Sequence, residues 1–365
     1  MSFFCVSSLT KRLGTNKILQ NIRFEIGEGE FITVLGPPEC GKSALLRTLA
    51  GQMQPDAGNI SVAGREVGQL SPRERNIALL SPADTLFSKM TVAENIASGL
   101  KMKRIPRPEI ACKVRRILQL LDLEDKAQNY PRHLSDGQQQ KALLARALAV
   151  EPQILLWDEA QDGGDAQAGK SLRLHIRALQ KSLKLTIVWA TRDQEAALTV
   201  SDRIFLMERG RFTQSGTPEE IYTKPDSEFA ARFIGNYNIL RRGELSAFAA
   251  SQLKGDLFAV RPESIEMVVD LAGARPDHLW EKRPEIIPAA GPRPDAIRME
   301  GLVIDMVMLG QILRNFIRVE RRILMVDLVS RGACPTKPGQ SVTLFVPYDE
   351  CLSLNTSHPP LKLPA

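Results

Sequence analysis

The chain has 365 residues, with 48 Lys plus Arg against 42 Asp plus Glu, four His and five Cys, giving a formal net charge of +6 and an isoelectric point near 9.1. At 43% hydrophobic and 25% charged it has the makeup of a globular protein with enough chain for two or three cores, which excludes a disordered, collagen-like or disulfide-scaffold class. No run of about 18 apolar residues offers a membrane span, and Met1 to Gly14 lacks the long apolar segment of a secretory signal, so a cytosolic location is expected.

In chain order, Phe31-Ile32-Thr33-Val34-Leu35 is a predicted strand, followed by a Gly/Pro loop and a predicted helix over Ser43–Ala50. Residues 92–150 are helix-rich, with Val114, Ile117, Leu118 and Leu121 forming one apolar stripe. Ile154–Trp157 and Thr186–Trp189 read as two more buried strands, and Leu172, Ile176, Leu179 and Leu183 place a helix between them. Short apolar runs alternating with helices predict a mostly parallel α/β sheet for residues 1–235, with a helical subdomain at about 84–150. After Gly235 the texture becomes β-like, at Phe258–Val260, Leu302–Ile304, Phe316–Val319 and Val342–Val346. A small OB-like β-barrel domain is expected over 236–365, with a Pro-rich insert at about 270–298 read as a linker or surface loop.

The basic excess is uneven. Residues 236–365 carry 16 basic and 15 acidic residues, so residues 1–235 hold a net +5, too little to argue for a nucleic-acid partner. Cys5, Cys40, Cys112, Cys334 and Cys351 are scattered without a CxxC pair and read as reduced thiols.

Gly36-Pro37-Pro38-Glu39-Cys40-Gly41-Lys42-Ser43, running on into Ala44, fits G-x-x-x-x-G-K-[ST] between a predicted strand and a predicted helix. Such a loop turns backbone N–H groups and the positive end of a helix onto phosphate oxygens. Lys42 would reach the β- and γ-phosphates and the Ser43 hydroxyl would ligate Mg²⁺, making ATP and Mg²⁺ the expected ligands. Asp158 and Glu159 end a buried strand, where open α/β sheets bind ligands. Asp158 is the candidate second Mg²⁺ ligand, and Glu159 the candidate that polarises the attacking water.

Between these halves, Leu134-Ser135-Asp136-Gly137-Gln138-Gln139-Gln140 opens an Ala/Leu-rich helix. With the phosphate loop and Asp158-Glu159, this order resembles the ATP-binding-cassette (ABC) ATPases and their Leu-Ser-Gly-Gly-Gln signature. Thr91–Ile96, Asp193–Leu198, Gly216–Tyr222 and Arg261-Pro262-Glu263 resemble the importer subfamily, with greatest likeness to ATPase subunits for polyamines, ferric iron or aminoethylphosphonate. The resemblance implies a P-loop NTPase domain followed by a regulatory β domain of the TOBE type. It implies a head-to-tail homodimer or heterodimer on the cytoplasmic face of the membrane, driving permease subunits and, through them, a solute-binding protein. Ser135, Asp136, Gly137 and Gln138 would face the partner's γ-phosphate, and Asp165 matches the Asp between the two ATP sites.

Five positions depart from that pattern. Leu13 stands where an adenine-stacking ring is common, and Glu39 where Gly is usual, bringing charge and a side chain into the loop. Pro82 replaces a sensing Gln, with Ser81 beside it. Asp136 replaces the first signature Gly, either facing a phosphate or turning outward as a helix cap. Arg192 replaces the His of the γ-phosphate switch; it can contact phosphate but cannot accept a hydrogen bond. None of His133, His175, His278 and His358 falls at that position, and all four read as surface or structural. The pattern implies an importer ATPase subunit or, alternatively, a partner or regulator that binds ATP and barely hydrolyses it.

Overall fold

Phe31–Leu35 is buried at every position and occupies the middle of a six-stranded sheet, as an apolar run flanked on both sides requires. The computed structural model describes residues 2–158, 166–245, 247–269, 295–330 and 336–354. Across this sheet the order is Arg211–Gly216, Arg203–Glu208, Phe31–Leu35, Thr186–Thr191, Ile154–Asp158 and Ile77–Leu80. Only the first pair is antiparallel; the other four contacts are parallel. Leu35 pairs with Thr191, Ala190 with Asp158 and Trp157 with Leu80. The carboxyl ends of four adjacent strands therefore open onto one edge, at Gly36, Ser81, Asp158 and Arg192.

A second sheet, four-stranded and antiparallel, was not legible in the apolar runs. It orders Asn16–Ile26, Phe4–Leu13, Ala57–Val62 and Arg65–Glu66. The Phe4–Leu13 strand carries register shifts, with Ser8 at φ +51°, which break the alternation a period-two reading depends on. Phe4, Leu19, Phe24 and Ile60 from this sheet join Leu45, Leu46 and Leu49 of the helix Lys42–Leu49 in one core.

The helix-rich stretch folds as expected. Thr91 and Glu94 form a capping box that starts Val92–Met102, and Pro106 leads into Arg107–Leu120. Val114, Ile117, Leu118 and Leu121 are all buried, packed with Ile96, Leu144 and Leu148 into a core that also holds Trp157 and Trp189. In the connecting helix Ala166–Leu183, Ile176 and Leu179 are buried, whereas Leu183 lies at the rim.

The chain divides into two compact units, with the break between Ile221 and Tyr222. The second is a small, entirely antiparallel β domain of two sheets. Five strands run in the order Glu266–Val269, Ser341–Pro347, Ala296–Leu309, Ile312–Val319 and Arg322–Val329. Three more run in the order Asn238–Arg241, Leu257–Val260 and Leu352–Ser353. The Asn238 amide ties the sheets together, donating to Met325 O at 2.7 Å and accepting from Met325 N at 2.7 Å. The helix Glu228–Gly235 contributes Ala231 to a cluster with Tyr237, Leu257, Ala259 and Leu354. The stretch 276–294, His278, His358 and Cys334 lie outside the described residues. No helix among the described residues is long and apolar enough to cross a membrane.

Candidate nucleotide site

The phosphate loop leaves the central strand at Gly36 and enters the helix Lys42–Leu49. Gly36 allows no side chain: a Cβ there would lie 2.3 Å from Met207 O on the neighbouring strand. Gly41 sits at φ +111° with its Cβ position 2.8 Å from Ile18 O, so the turn into the helix also needs glycine. Backbone bonds brace the loop from outside, Gly210 N donating to Cys40 O at 2.8 Å. The Cys40 side chain is buried, and burial pushes its thiol pKa up despite Lys42 nearby.

Lys42 Nζ donates to Gly36 O and Pro37 O, both at 2.7 Å, so the ammonium hangs over the mouth of the loop. Ser43 Oγ donates to Asp158 Oδ1 at 3.1 Å, joining the two motif halves across 115 positions of chain. Asp158 is 6% exposed; burial pushes its carboxyl pKa up, against the opposing pull of Ser43, Arg47 and Lys42. Two hard oxygens in this arrangement, one a carboxylate that water barely reaches, suit a divalent cation such as Mg²⁺. Trp157, immediately before Asp158, stacks on Trp189 with ring centroids 5.1 Å apart.

The departures from the cassette pattern take concrete form. Glu39 is exposed and adopts φ +61°, a left-handed conformation that glycine takes readily. Leu13 is 58% exposed at the end of its strand, beside the Gly14 turn. Ser81 and Pro82 begin a tight turn: Asp84 N donates to Ser81 O at 2.9 Å, and Asp84 Oδ2 accepts from Ser81 N at 2.7 Å. Arg192 is exposed just past the end of the Thr186–Thr191 strand. His133 is exposed, and His175 Nε2 lies 2.9 Å from Leu120 O on the helical side.

In the signature stretch the structure corrects one expectation. Ser135, not Asp136, caps the helix Asp136–Ala149: its hydroxyl accepts from Gln138 N at 3.3 Å while Gln138 Oε1 accepts from Ser135 N at 3.0 Å. Ser135 alone has the extended backbone that lets a hydroxyl reach forward, whereas Asp136 is already helical and exposed in the first turn, where a carboxylate complements the helix dipole. Glu159 and Asp165 lie outside the described residues.

One contributor went unread in the sequence. Arg75 is 1% exposed, and its guanidinium donates to Thr48 O and Leu49 O at 2.9 Å, Leu70 O at 3.0 Å and Gly68 O at 2.6 Å. It thus closes the carboxyl end of the phosphate-loop helix. Arg75, in the polar run Arg73-Glu74-Arg75-Asn76, carries no sequence signal for a partner set made entirely of backbone carbonyls.

A glycine loop at the carboxyl edge of a parallel sheet, a lysine over it and a serine–aspartate pair beneath define a P-loop nucleotide-binding protein. The family model described as ABC transporter matches residues 19–162. The spermidine/putrescine import ATP-binding protein PotA of Haemophilus ducreyi is 37% identical over 72% of this chain and 71% of its own length. The sulfate/thiosulfate import ATP-binding protein CysA of Vibrio vulnificus is 44% identical over 64% of this chain and 69% of its own. The chain belongs to the ABC transporter ATP-binding family. The match to PotA of Aggregatibacter actinomycetemcomitans, at 40% identity, covers 62% of that protein's length. Among solved structures, cbiO1 from Clostridium perfringens, part of the ABC transporter complex cbiONQ, superposes with a TM-score of 0.56 at 27% identity, over 60% of this chain and 91% of its own.

Proposed function

We propose that this chain is the ATP-binding subunit of an ABC importer, working on the cytoplasmic face of the membrane against permease subunits that receive solute from a separate binding protein. The observation that carries the reading is the Ser43–Asp158 hydrogen bond beneath the Lys42 ammonium, which joins cation ligands and phosphate loop in one place. On nucleotide binding, Lys42 exchanges the Gly36 and Pro37 carbonyls for phosphate oxygens, Glu39 to Ala44 supply loop and helix N–H groups to the same anion, and Pro37 and Pro38, which have no N–H, shape the loop. A Mg²⁺ held by Ser43 and Asp158 would neutralise charge on the phosphates. Glu159 is assigned to the attacking water, Leu13 to the adenine face, and Ser135, Asp136, Gly137, Gln138 and Asp165 to the junction with a second subunit, identical or not. The import relatives differ in cargo, polyamine in one and sulfate in another, which supports assigning cargo choice to the other subunits.

A second reading, ATP binding with little turnover, is favoured by specific features. Pro82 has no side-chain donor, Arg192 cannot accept a proton, and Glu39 occupies a left-handed position with a carboxylate attached. Loss of positioned acid–base groups costs about 10²–10⁴ in rate.

Two measurements address the two readings. ATP titration calorimetry on Lys42→Ala should show binding lost, and unchanged affinity would remove the site. Steady-state hydrolysis of the wild type should exceed that of Glu159→Gln, and Arg192→His combined with Pro82→Gln should raise it further. Wild-type turnover equal to that of Glu159→Gln would select the second reading.

A further inference from the structure

Residues 101–116 hold seven Lys and Arg against one Glu, a net +6 that equals the formal charge of the whole chain. The net +5 of residues 1–235 is therefore concentrated in one stretch, made of the end of one helix, a turn and most of the next helix. The helix Val92–Met102 ends there: Lys103 N donates to Gly99 O and Arg104 N to Lys101 O, with Arg104 at φ +57°. Pro106 then starts the helix Arg107–Leu120. Lys101, Arg104, Arg107, Arg115 and Arg116 are exposed and form no ion pair among the described residues. Of the other two cations, Lys103 donates to Val150 O at 2.9 Å and Lys113 pairs with Glu151 and Glu109. Met102, between Lys101 and Lys103, is 67% exposed.

Lys101, Arg104 and Arg107, without a carboxylate partner among the described residues, sit around one turn, and Arg115 and Arg116 follow about 12–14 Å further along the next helix, a run of like charge that an extended anionic surface would neutralise. Two features select the kind of surface. The segment contains no aromatic residue on which a base could stack, as single-stranded nucleic acid binding requires. It does contain an exposed thioether on the last helical residue before the turn, an apolar group that enters a headgroup layer at little cost while flanking cations contact phosphates. We infer that the Lys101–Arg107 turn rests on a membrane surface of anionic phospholipid, with Met102 entering the headgroup region. The contact is separate from docking on membrane subunits and does not rest on the importer reading.

The test uses the purified full chain and vesicles free of any membrane protein. The chain should float with vesicles of phosphatidylcholine mixed with roughly one-third phosphatidylglycerol and not with phosphatidylcholine alone, and binding should fall steeply between about 0.05 and 0.5 M salt. The triple variant Lys101→Gln, Arg104→Gln, Arg107→Gln should bind on the order of a hundredfold more weakly, each cation near the surface contributing about a fivefold factor. Met102→Gln should weaken binding by a smaller factor and leave the salt dependence in place. ATP affinity and circular dichroism should match wild type in both variants, which separates this result from failure of the nucleotide site or of folding. Equal binding to neutral vesicles, or an unchanged triple variant, would overturn the proposal. So would a short DNA duplex that binds more tightly than the vesicles and displaces the chain from them, which would assign the surface to nucleic acid.

Discussion

Glu39 brings two penalties to the phosphate loop that substitution can pull apart. Its φ of +61° costs a residue with a Cβ about 1–2 kcal/mol relative to the right-handed region. Its carboxylate adds an anion next to a site built for anions, worth about 1 kcal/mol at close range in water and less at high salt. Glu39→Gln removes only the charge, whereas Glu39→Gly removes both. Titration calorimetry should therefore show ATP binding about fivefold tighter in Glu39→Gln, a gain that shrinks as salt rises. Glu39→Gly should gain at least as much and keep part of the gain in high salt. Identical affinities across the three proteins would mean that the side chain is turned fully to solvent and that the loop tolerates its backbone. The same scale shows what was readable: glycine spacing, the lysine and the acidic strand end announce themselves by residue type. Ser135 as the cap was one position away from the expectation, because both Ser and Asp cap helices and only the backbone decides between them.

Among the elements, the strand that carries the phosphate loop is held at its opposite end by Asp202. Phe31 N donates to Asp202 Oδ2 at 2.8 Å, Asp202 N donates to Phe31 O at 2.8 Å, and Arg177 of the connecting helix pairs with the same carboxylate. Burial alone would push the Asp202 pKa up, but Arg177 and the Phe31 N–H outweigh it and hold the carboxyl below its ordinary value. A carboxyl lowered in the folded state stabilises the protein at pH above its unfolded value, and that contribution is lost as pH falls through the folded value. Asp202→Asn should therefore lower stability near neutrality, by about 1 kcal/mol once solvent screening of this partly exposed pair is counted. In thermal melts the deficit should stay constant from about pH 7 to 5 and close as the wild type is acidified below pH 4; a deficit that persists in acid would mean that packing, not charge, is responsible. Elements with strong periodicity were legible, including the central strands and the Val114–Leu121 stripe; the capping boxes at Thr91–Glu94 and Ser135–Gln138 emerge only from the structure. Asp202, Arg177 and Arg75 were not, because their partners are backbone groups or residues brought close only by folding.

For the whole molecule, each of the two units has its own apolar core, one set around Trp189 and Phe24, the other around Phe258 and Leu344. Calorimetry should resolve two unfolding transitions. ATP at a hundredfold over its Kd should raise only the transition of the first unit, by about 2.7 kcal/mol. A single transition that moves as one with ATP would show that the units unfold together. The change of texture near residue 235 was legible as a shift from alternating helices and strands to strands alone. The compact units break earlier, after Ile221, because Ala231 of the helix Glu228–Gly235 packs with Tyr237 and Leu257, a contact with no sequence pattern of its own.

The stacked tryptophans give the molecule a built-in optical gauge. Of three Trp in the chain, Trp157 and Trp189 lie face to face in the central sheet, and Trp157 is bonded directly to Asp158. Parallel indoles at this separation couple their excited states, so their near-ultraviolet dichroism depends on the angle between the rings. The Trp189 indole N–H meets no acceptor among the described residues, leaving its emission to track local polarity instead of a fixed hydrogen bond. Because Trp157 adjoins Asp158, adding ATP and Mg²⁺ is expected to change the near-ultraviolet dichroism of the stacked pair, and an unchanged spectrum would show that the rings do not move with the site.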